Sequence, residues 1–280
     1  MYVFSTWLYN NILIRYVKLF LYIFSVFSLP IPLTYVLPYF IISIQTKYVL
    51  YVTIIFHKNH QEEYPMKDYT IEVHGCRPSD YTGSITQPIY MSATFRHPGF
   101  KQSTGYDYSR CGNPTRDNLE ETISQLEQGK RTWALSCGMS AINAIFQLFN
   151  PGDHILLTED LYGGTLRLGQ LFAKYNIEFE YIDTTDLELV QNSLRPNTRA
   201  IFVETPSNPM MLVSNIAAIA QIAHGHNALL IVDNTFLSPH FQKPLTLGAD
   251  IVVHSGTKYL CGHNDILAGF LTVKDDPQLI

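Results

Sequence analysis

Cysteine is scarce in this 280-residue chain, and the four present, Cys76, Cys111, Cys137 and Cys261, stand far apart. With no C-x-x-C pair among them, a zinc knuckle and a dithiol redox centre are excluded, and the usage fits a reduced cytosolic protein. Basic runs are absent as well. Net charge is −5 and the sequence pI is near 6.0, a balance that argues against nucleic acid as a partner. Neither G-x-G-x-x-G nor Gly-Lys-Ser/Thr occurs, which removes the dinucleotide fingerprint and the P-loop. The histidines His224, His226, His240 and His263 lack metal-ligand spacing and read as structural.

The most uneven absences lie at the start of the chain. Residues 1–65 contain no Gly, Ala or Asp, their first acidic residue is Glu62, and half of the 18 tyrosines fall among them. Between Lys18 and Lys47 there is no charge at all, a run long enough to cross a bilayer. Against a membrane segment, Pro30, Pro32 and Pro38 interrupt the run and no small-residue cleavage site follows it. Membrane helices are also richer in Gly and Ala than this. Translation of an AT-rich upstream stretch accounts for the composition better. On that reading Gln61-Glu62-Glu63 reflects a purine-rich ribosome-binding sequence, the protein starts at Met66, and a membrane tether is the alternative.

From Lys67 onward the pattern is that of an α/β protein. Short apolar runs at Thr132–Ser136, His154–Thr158, Glu178–Ile182, Ala200–Glu204, Ala228–Asp233 and Asp250–His254 predict buried strands. Helices are predicted between them at about Thr115–Gln128, with Leu119, Ile123 and Leu126 on one face, and at Met139–Phe149, Thr165–Tyr175, Asp186–Leu194 and Ile216–His224. This alternation predicts a mainly parallel sheet covered by helices.

Several polar residues stand just beyond the predicted strands, where an open parallel sheet presents its ligands. Lys258 sits in His254-Ser255-Gly256-Thr257-Lys258-Tyr259, with two hydroxyls, Ser255 and Thr257, suited to a phosphate. Asp233 ends the run Leu229–Asp233, and Gly138-Met139 opens a helix whose backbone N–H groups could hold an anion. Tyr162, in Tyr162-Gly163-Gly164-Thr165, offers an aromatic face, and Tyr108 with Arg110 offers a phenol and a guanidinium. Glu204 and Asn208 follow another strand and are placed to touch a ring hydroxyl or a substrate. Singly, each has an ordinary reading: a loop lysine, a strand-end carboxylate, a strand–helix turn, a surface tyrosine. Jointly they supply what pyridoxal 5′-phosphate (PLP) chemistry requires, namely a lysine for the aldehyde, an acid for the ring nitrogen, an aromatic platform and phosphate donors. A lysine partly desolvated beside a cationic ring gives up its proton readily, as a nucleophile and proton shuttle must.

The strings Val232-Asp233-Asn234-Thr235-Phe236, Gly248-Ala249-Asp250, His254 to His263, Tyr108 to Arg116 and Gly138-Met139-Ser140-Ala141 resemble the Cys/Met-metabolism (trans-sulfuration) family of fold-type I PLP enzymes. The Tyr162 and Glu204–Pro209 loops add to the likeness, which runs over about residues 67–280. It implies that Lys258 is the Schiff-base lysine, Asp233 the partner of the pyridine nitrogen and Tyr162 the stacked ring. It assigns the phosphate to Gly138, Met139, Ser255 and Thr257. By the same resemblance Tyr108 and Arg110 reach the phosphate of a neighbouring subunit, so a homodimer or homotetramer acting on small amino-acid substrates is expected. The implied organisation is residues 1–65 as upstream sequence, 66–115 as the arm to the neighbour, and 116–280 as a truncated PLP-binding domain. In the family a small C-terminal domain follows and carries the arginine for the substrate carboxylate. A chain ending at Ile280 would therefore bind PLP weakly and turn over little.

The form Tyr162-Gly163-Gly164-Thr165 is more similar to cystathionine synthases and lyases than to methionine γ-lyases, which tend to place Cys third. Arg96–Asn113 and Gly262–Gly269 look most like cystathionine γ-synthase or O-acetylhomoserine thiol-lyase. The favoured expectation is γ-replacement on an O-acylhomoserine by cysteine, with cystathionine β- or γ-lyase as alternative, and with an inactive or membrane-tethered fragment as the reading from another class.

Overall fold

Local chemistry accounts for most of the element boundaries. The computed structural model describes residues 67–75 and 84–280, all within the unit Met66–Ile280, so the expectations for residues 1–65 lie outside the described residues. After a short helix α1 (Asp68–His74), helix α2 (Pro114–Glu127) starts on Asn113, whose side chain accepts the N–H of Thr115 at 2.9 Å, with Pro114 in the first turn. It ends where Gln128 turns left-handed, at φ 57°. Strand β1 (Arg131–Leu135) then leads into α3 (Gly138–Phe146), and β2 (His154–Thr158) into α4 (Gly163–Phe172). Strand β3 (Glu178–Ile182) precedes α5 (Leu187–Asn192), whose first N–H groups are capped by Asp186. Strand β4 (Thr198–Glu204) precedes α6 (Ile216–Gly225), capped by Asn215. Strands β5 (Leu229–Asp233), β6 (Ile251–Ser255) and β7 (Gly269–Val273) complete the sheet, with a one-turn α7 (Ser238–Phe241) after β5.

The sheet order is β1-β7-β6-β5-β4-β2-β3, and β7 alone runs against the others. Alternate strand residues serve two cores. Ile155, Leu157, Phe202, Ile231 and Val253 pack under α3 with Ile142, Ile145 and Phe146. Their neighbours Leu156, Ile201, Val203, Leu230, Val232 and Val252 pack under α6 with Ile219, Ala220 and Ala223. Burial on both faces explains why these strands read as continuous apolar runs rather than as alternation. No helix among the described residues is long and apolar enough to cross a membrane.

Three expectations are corrected. The helix predicted to Phe149 ends at Phe146, and the residues up to Phe149 continue it only as tighter turns, Leu148 N–H to Ile145 O and Phe149 N–H to Phe146 O. The helix predicted from Thr165 to Tyr175 begins at Gly163 and tightens into a 3-10 turn at Ala173–Tyr175. On α2, Ile123 and Leu126 are buried as expected, but Leu119 is 42% exposed. The helix meets the sheet only along its last two turns, where Phe270 completes a small core with Ile71, Ile123 and Leu126.

Candidate functional site

Because β2, β4, β5 and β6 are parallel, their last residues gather along one edge of the sheet. A cavity of about 450 Å³ opens there. Asp233 and Glu204 face it from the ends of β5 and β4, where they stand as direct neighbours in the strand register. Ser255, Thr257 and Lys258 line it from the end of β6 and the turn beyond. Gly138 and Met139 enter from the first turn of α3, Tyr162 from the start of α4, and Asn208 from the loop after β4. Nine of the eleven residues singled out in the sequence thus line one cavity. The other two, Tyr108 and Arg110, do not line it. They lie exposed on the arm, with the Arg110 guanidinium 4.9 Å from the centre of the Tyr108 ring.

The floor is acidic and buried. Asp233 is buried, and burial pushes its carboxyl up; the hydrogen bonds from Thr235 and the neighbouring His254 pull the other way. Its Oδ1 accepts the Thr235 N–H at 3.0 Å and the Thr235 hydroxyl at 2.5 Å. Glu204, also buried, is pushed up to about 8, first by burial and then by the charge of Asp233 beside it. Its Oε2 accepts the backbone N–H of Tyr162 at 2.8 Å. Glu204 therefore reaches the aromatic wall through the backbone, besides facing the cavity as expected.

The anion end is built by close approach. A Cβ on Gly138 would stand 2.7 Å from Ser255 Cβ and 3.0 Å from its Oγ, so only glycine lets the start of α3 meet β6. The first N–H groups of α3, free of intrahelical partners by geometry, lie beside the Ser255 hydroxyl, which is the donor set a phosphate takes. Thr257 fits less directly. Its N–H and its hydroxyl both point at Ala268 O, at 3.3 Å, and the hydroxyl accepts the Ala268 N–H at 3.2 Å. It would join a phosphate only by releasing one of these long bonds. Lys258 is exposed, in a turn pinned by Cys261 N–H to Gly256 O and Gly262 N–H to Lys258 O. These residues fit PLP: an acid on the floor for a ring nitrogen, an aromatic wall, a phosphate cradle, and an amine at the rim.

Sequence reasoning missed some of the walls. Thr235, Phe236, Tyr259 and Leu267 also line the cavity, and the Phe236 and Tyr259 rings lie 5.9 Å apart. Thr235 had a usable signal, because an Asp followed two residues later by a hydroxyl at a strand end closes a local side-chain turn. The histidines read as structural have protein partners: His224 with Asp250, His226 with Arg195 O, His240 with Glu72 and His263 with Cys261 O.

Comparison with known proteins agrees with this geometry. The family model described as Cys/Met metabolism PLP-dependent enzyme matches residues 69–280. The chain is 51% identical over 203 residues to a cystathionine gamma-synthase/O-acetylhomoserine (thiol)-lyase of Bacillus subtilis (strain 168), covering 72% of this chain and 54% of that protein. It is 48% identical over 208 residues to a cystathionine gamma-lyase of the same organism, covering 74% and 55%. A crystal structure of cystathionine gamma-lyase from Lactobacillus plantarum complexed with L-serine superposes with a TM-score of 0.73 at 46% identity, covering 76% of this chain and 56% of that one. The chain spans about half the length of the curated relatives it matches. With the family model matched over most of its length, the chain belongs to the Cys/Met metabolism family of PLP-dependent enzymes, whose cofactor is pyridoxal 5′-phosphate.

Proposed function

We propose that this chain forms the cofactor-binding part of a trans-sulfuration enzyme that joins an O-acylhomoserine to cysteine, giving cystathionine and the free carboxylic acid. One observation carries the reading: Lys258, Asp233, Tyr162 and the first turn of α3 meet in a single cavity. When bound, PLP supplies an electron sink that makes the α-hydrogen of an amino acid acidic. The protein does the rest. Gly138 and Met139 N–H groups with the Ser255 hydroxyl hold the phosphate, and Asp233 holds a proton on the ring nitrogen. Tyr162 covers one face of the ring and excludes water from it. Lys258 Nζ would anchor the cofactor aldehyde, take the proton from the substrate Cα and restore a proton to Cα once the γ-substituent has been exchanged. Tyr108 and Arg110, exposed on the arm 66–115, serve the phosphate of a second copy.

The synthase reading is supported by the 51% identity to the Bacillus synthase and thiol-lyase. Gly164, where a Cβ would stand 2.3 Å from Tyr162 Cε1, sets the chain with cystathionine synthases and lyases alike, apart from the methionine γ-lyases that tend to place Cys there. A second reading, a cystathionine lyase, rests on the 48% identity to the γ-lyase. Incubation of a full-length version with cystathionine alone, and separately with an acyl-homoserine plus cysteine, divides the two. Cystathionine formed from the pair is expected; ammonia and a keto acid released from cystathionine, with no product from the pair, would make the protein a lyase.

A further inference from the structure

Behind the expected cofactor contacts, one hydroxyl joins two parts of the site. Thr235 Oγ1 donates to Asp233 Oδ1 at 2.5 Å and accepts the backbone N–H of Ser255 at 2.9 Å. The Thr235 N–H donates to the same Asp233 oxygen at 3.0 Å. Both bonds fall on Oδ1, so Thr235 makes no claim on Oδ2. The strand register brings Asp233 beside Val253, two residues short of Ser255, so backbone pairing alone leaves the carboxylate and the Ser255–Lys258 turn unconnected. Thr235 supplies that connection.

We propose that Thr235 is a positioning residue, locking the Asp233 carboxylate to the backbone of Ser255 so that the acid, the phosphate donors and Lys258 keep one spacing. The proposal rests on the cofactor reading of this cavity. Donors on one carboxylate oxygen favour the ionised form, so the Thr235 bonds pull the Asp233 carboxyl downward against the upward push of its burial. The other titratable groups beside Asp233 or lining its cavity are Glu204 on β4, His254 on β6, Lys258 and Tyr259 in the following turn, Tyr162 at the start of α4 and Cys137 at the start of α3.

The test compares wild type with Thr235→Val, Thr235→Ala and Thr235→Ser. Aspartate-selective ¹³C-carboxyl labelling of the chain without added cofactor, with Asp233→Asn to identify the signal, follows Asp233 apart from Glu204. The Asp233 midpoint is expected to move upward in the Val and Ala variants and to return in the Ser variant. Affinity for added PLP is expected to fall roughly tenfold in the two truncations, the usual worth of a hydrogen bond to a charged group, and to recover with Ser. An Asp233 midpoint unchanged by both truncations overturns the proposal, because a turn that merely braces the fold would lower the melting temperature and leave the titration alone. Should wild type bind no PLP, the cofactor reading falls, while the carboxyl titration still decides the role of Thr235.

Discussion

Glu204 Oε2 accepts the backbone N–H of Tyr162 at 2.8 Å, so a carboxyl at the end of β4 fixes the residue that begins α4. No side chain caps α4 locally, which leaves this long-range bond to satisfy one of the N–H groups exposed where the helix begins. Glu204→Gln retains an acceptor of the same shape, whereas Glu204→Leu buries the N–H without one. The Leu variant is expected to lose about 1–3 kcal/mol of stability and to bind PLP more weakly as Tyr162 drifts, with Gln near wild type. Urea unfolding and a PLP titration read the two effects.

The same carboxyl makes stability depend on pH. Its folded pKa of about 8 stands above the ordinary 4.5, so the folded chain keeps a proton the unfolded chain has released. The protonated carboxyl therefore favours folding least as pH rises from about 4.5 to about 8, and stability falls through that window. Asp233, raised by burial, acts in the same sense. His154, lowered by burial from 6.5, acts oppositely and adds stability as pH rises toward 6.5. Between pH 6.5 and 8 the Glu204 effect stands clear of His154. Urea midpoints across that range should decline in wild type and flatten in Glu204→Gln; parallel slopes would contradict the assignment.

Glu127 and His254 form a fully buried pair, with His254 Nε2 and Glu127 Oε1 2.5 Å apart. The same Oε1 accepts from Asn234 Nδ2 at 3.0 Å, so the last turn of α2 ties together the ends of β5 and β6. Glu127→Leu strands two buried donors. It is expected to cost about 3–5 kcal/mol, measured by chemical denaturation, and to cost more than the Leu replacement of exposed Glu121 on the same helix.

Lys258 is expected to be the one lysine that carries the cofactor. After incubation with PLP and reduction with borohydride, mass mapping should find the pyridoxyl group on the peptide containing Lys258. Lys258→Ala should lose the label without losing the fold, since the side chain is exposed. Label retained elsewhere after that substitution would move the anchor.

Gly138→Ala tests the cradle. Its Cβ would come within 2.9 Å of the Ser255 backbone, which cannot yield as a flexible side chain would. A loss of about 1–3 kcal/mol from overpacking is expected, together with weaker binding of PLP and little change for pyridoxal, which has no phosphate. Equal losses for both ligands would place the phosphate elsewhere.

Much of the fold was legible because burial on both faces makes parallel strands uniformly apolar: His154–Thr158 and Glu178–Ile182 coincide with β2 and β3. Strand β7, Gly269–Val273, was not read. Its five residues carry no turn signal of their own, and it becomes a strand only by filling the gap between β1 and β6. The residues that line the cavity were legible because most follow a strand end and because their strings resemble a known family. The bond from Glu204 to the Tyr162 backbone was not, since a backbone N–H has no signature in sequence.

The sequence by itself determined the strand–helix alternation, the polar residues that close each strand, and the family to which they belong. Period, apolar runs and motif order are local properties that survive in a one-dimensional string. Only the tertiary structure decided that Glu204 holds Tyr162 and that Thr235 joins Asp233 to Ser255. Those outcomes depend on which strands become neighbours and in what register, and pairing between residues far apart in sequence is set by packing of the whole sheet rather than by any segment of it.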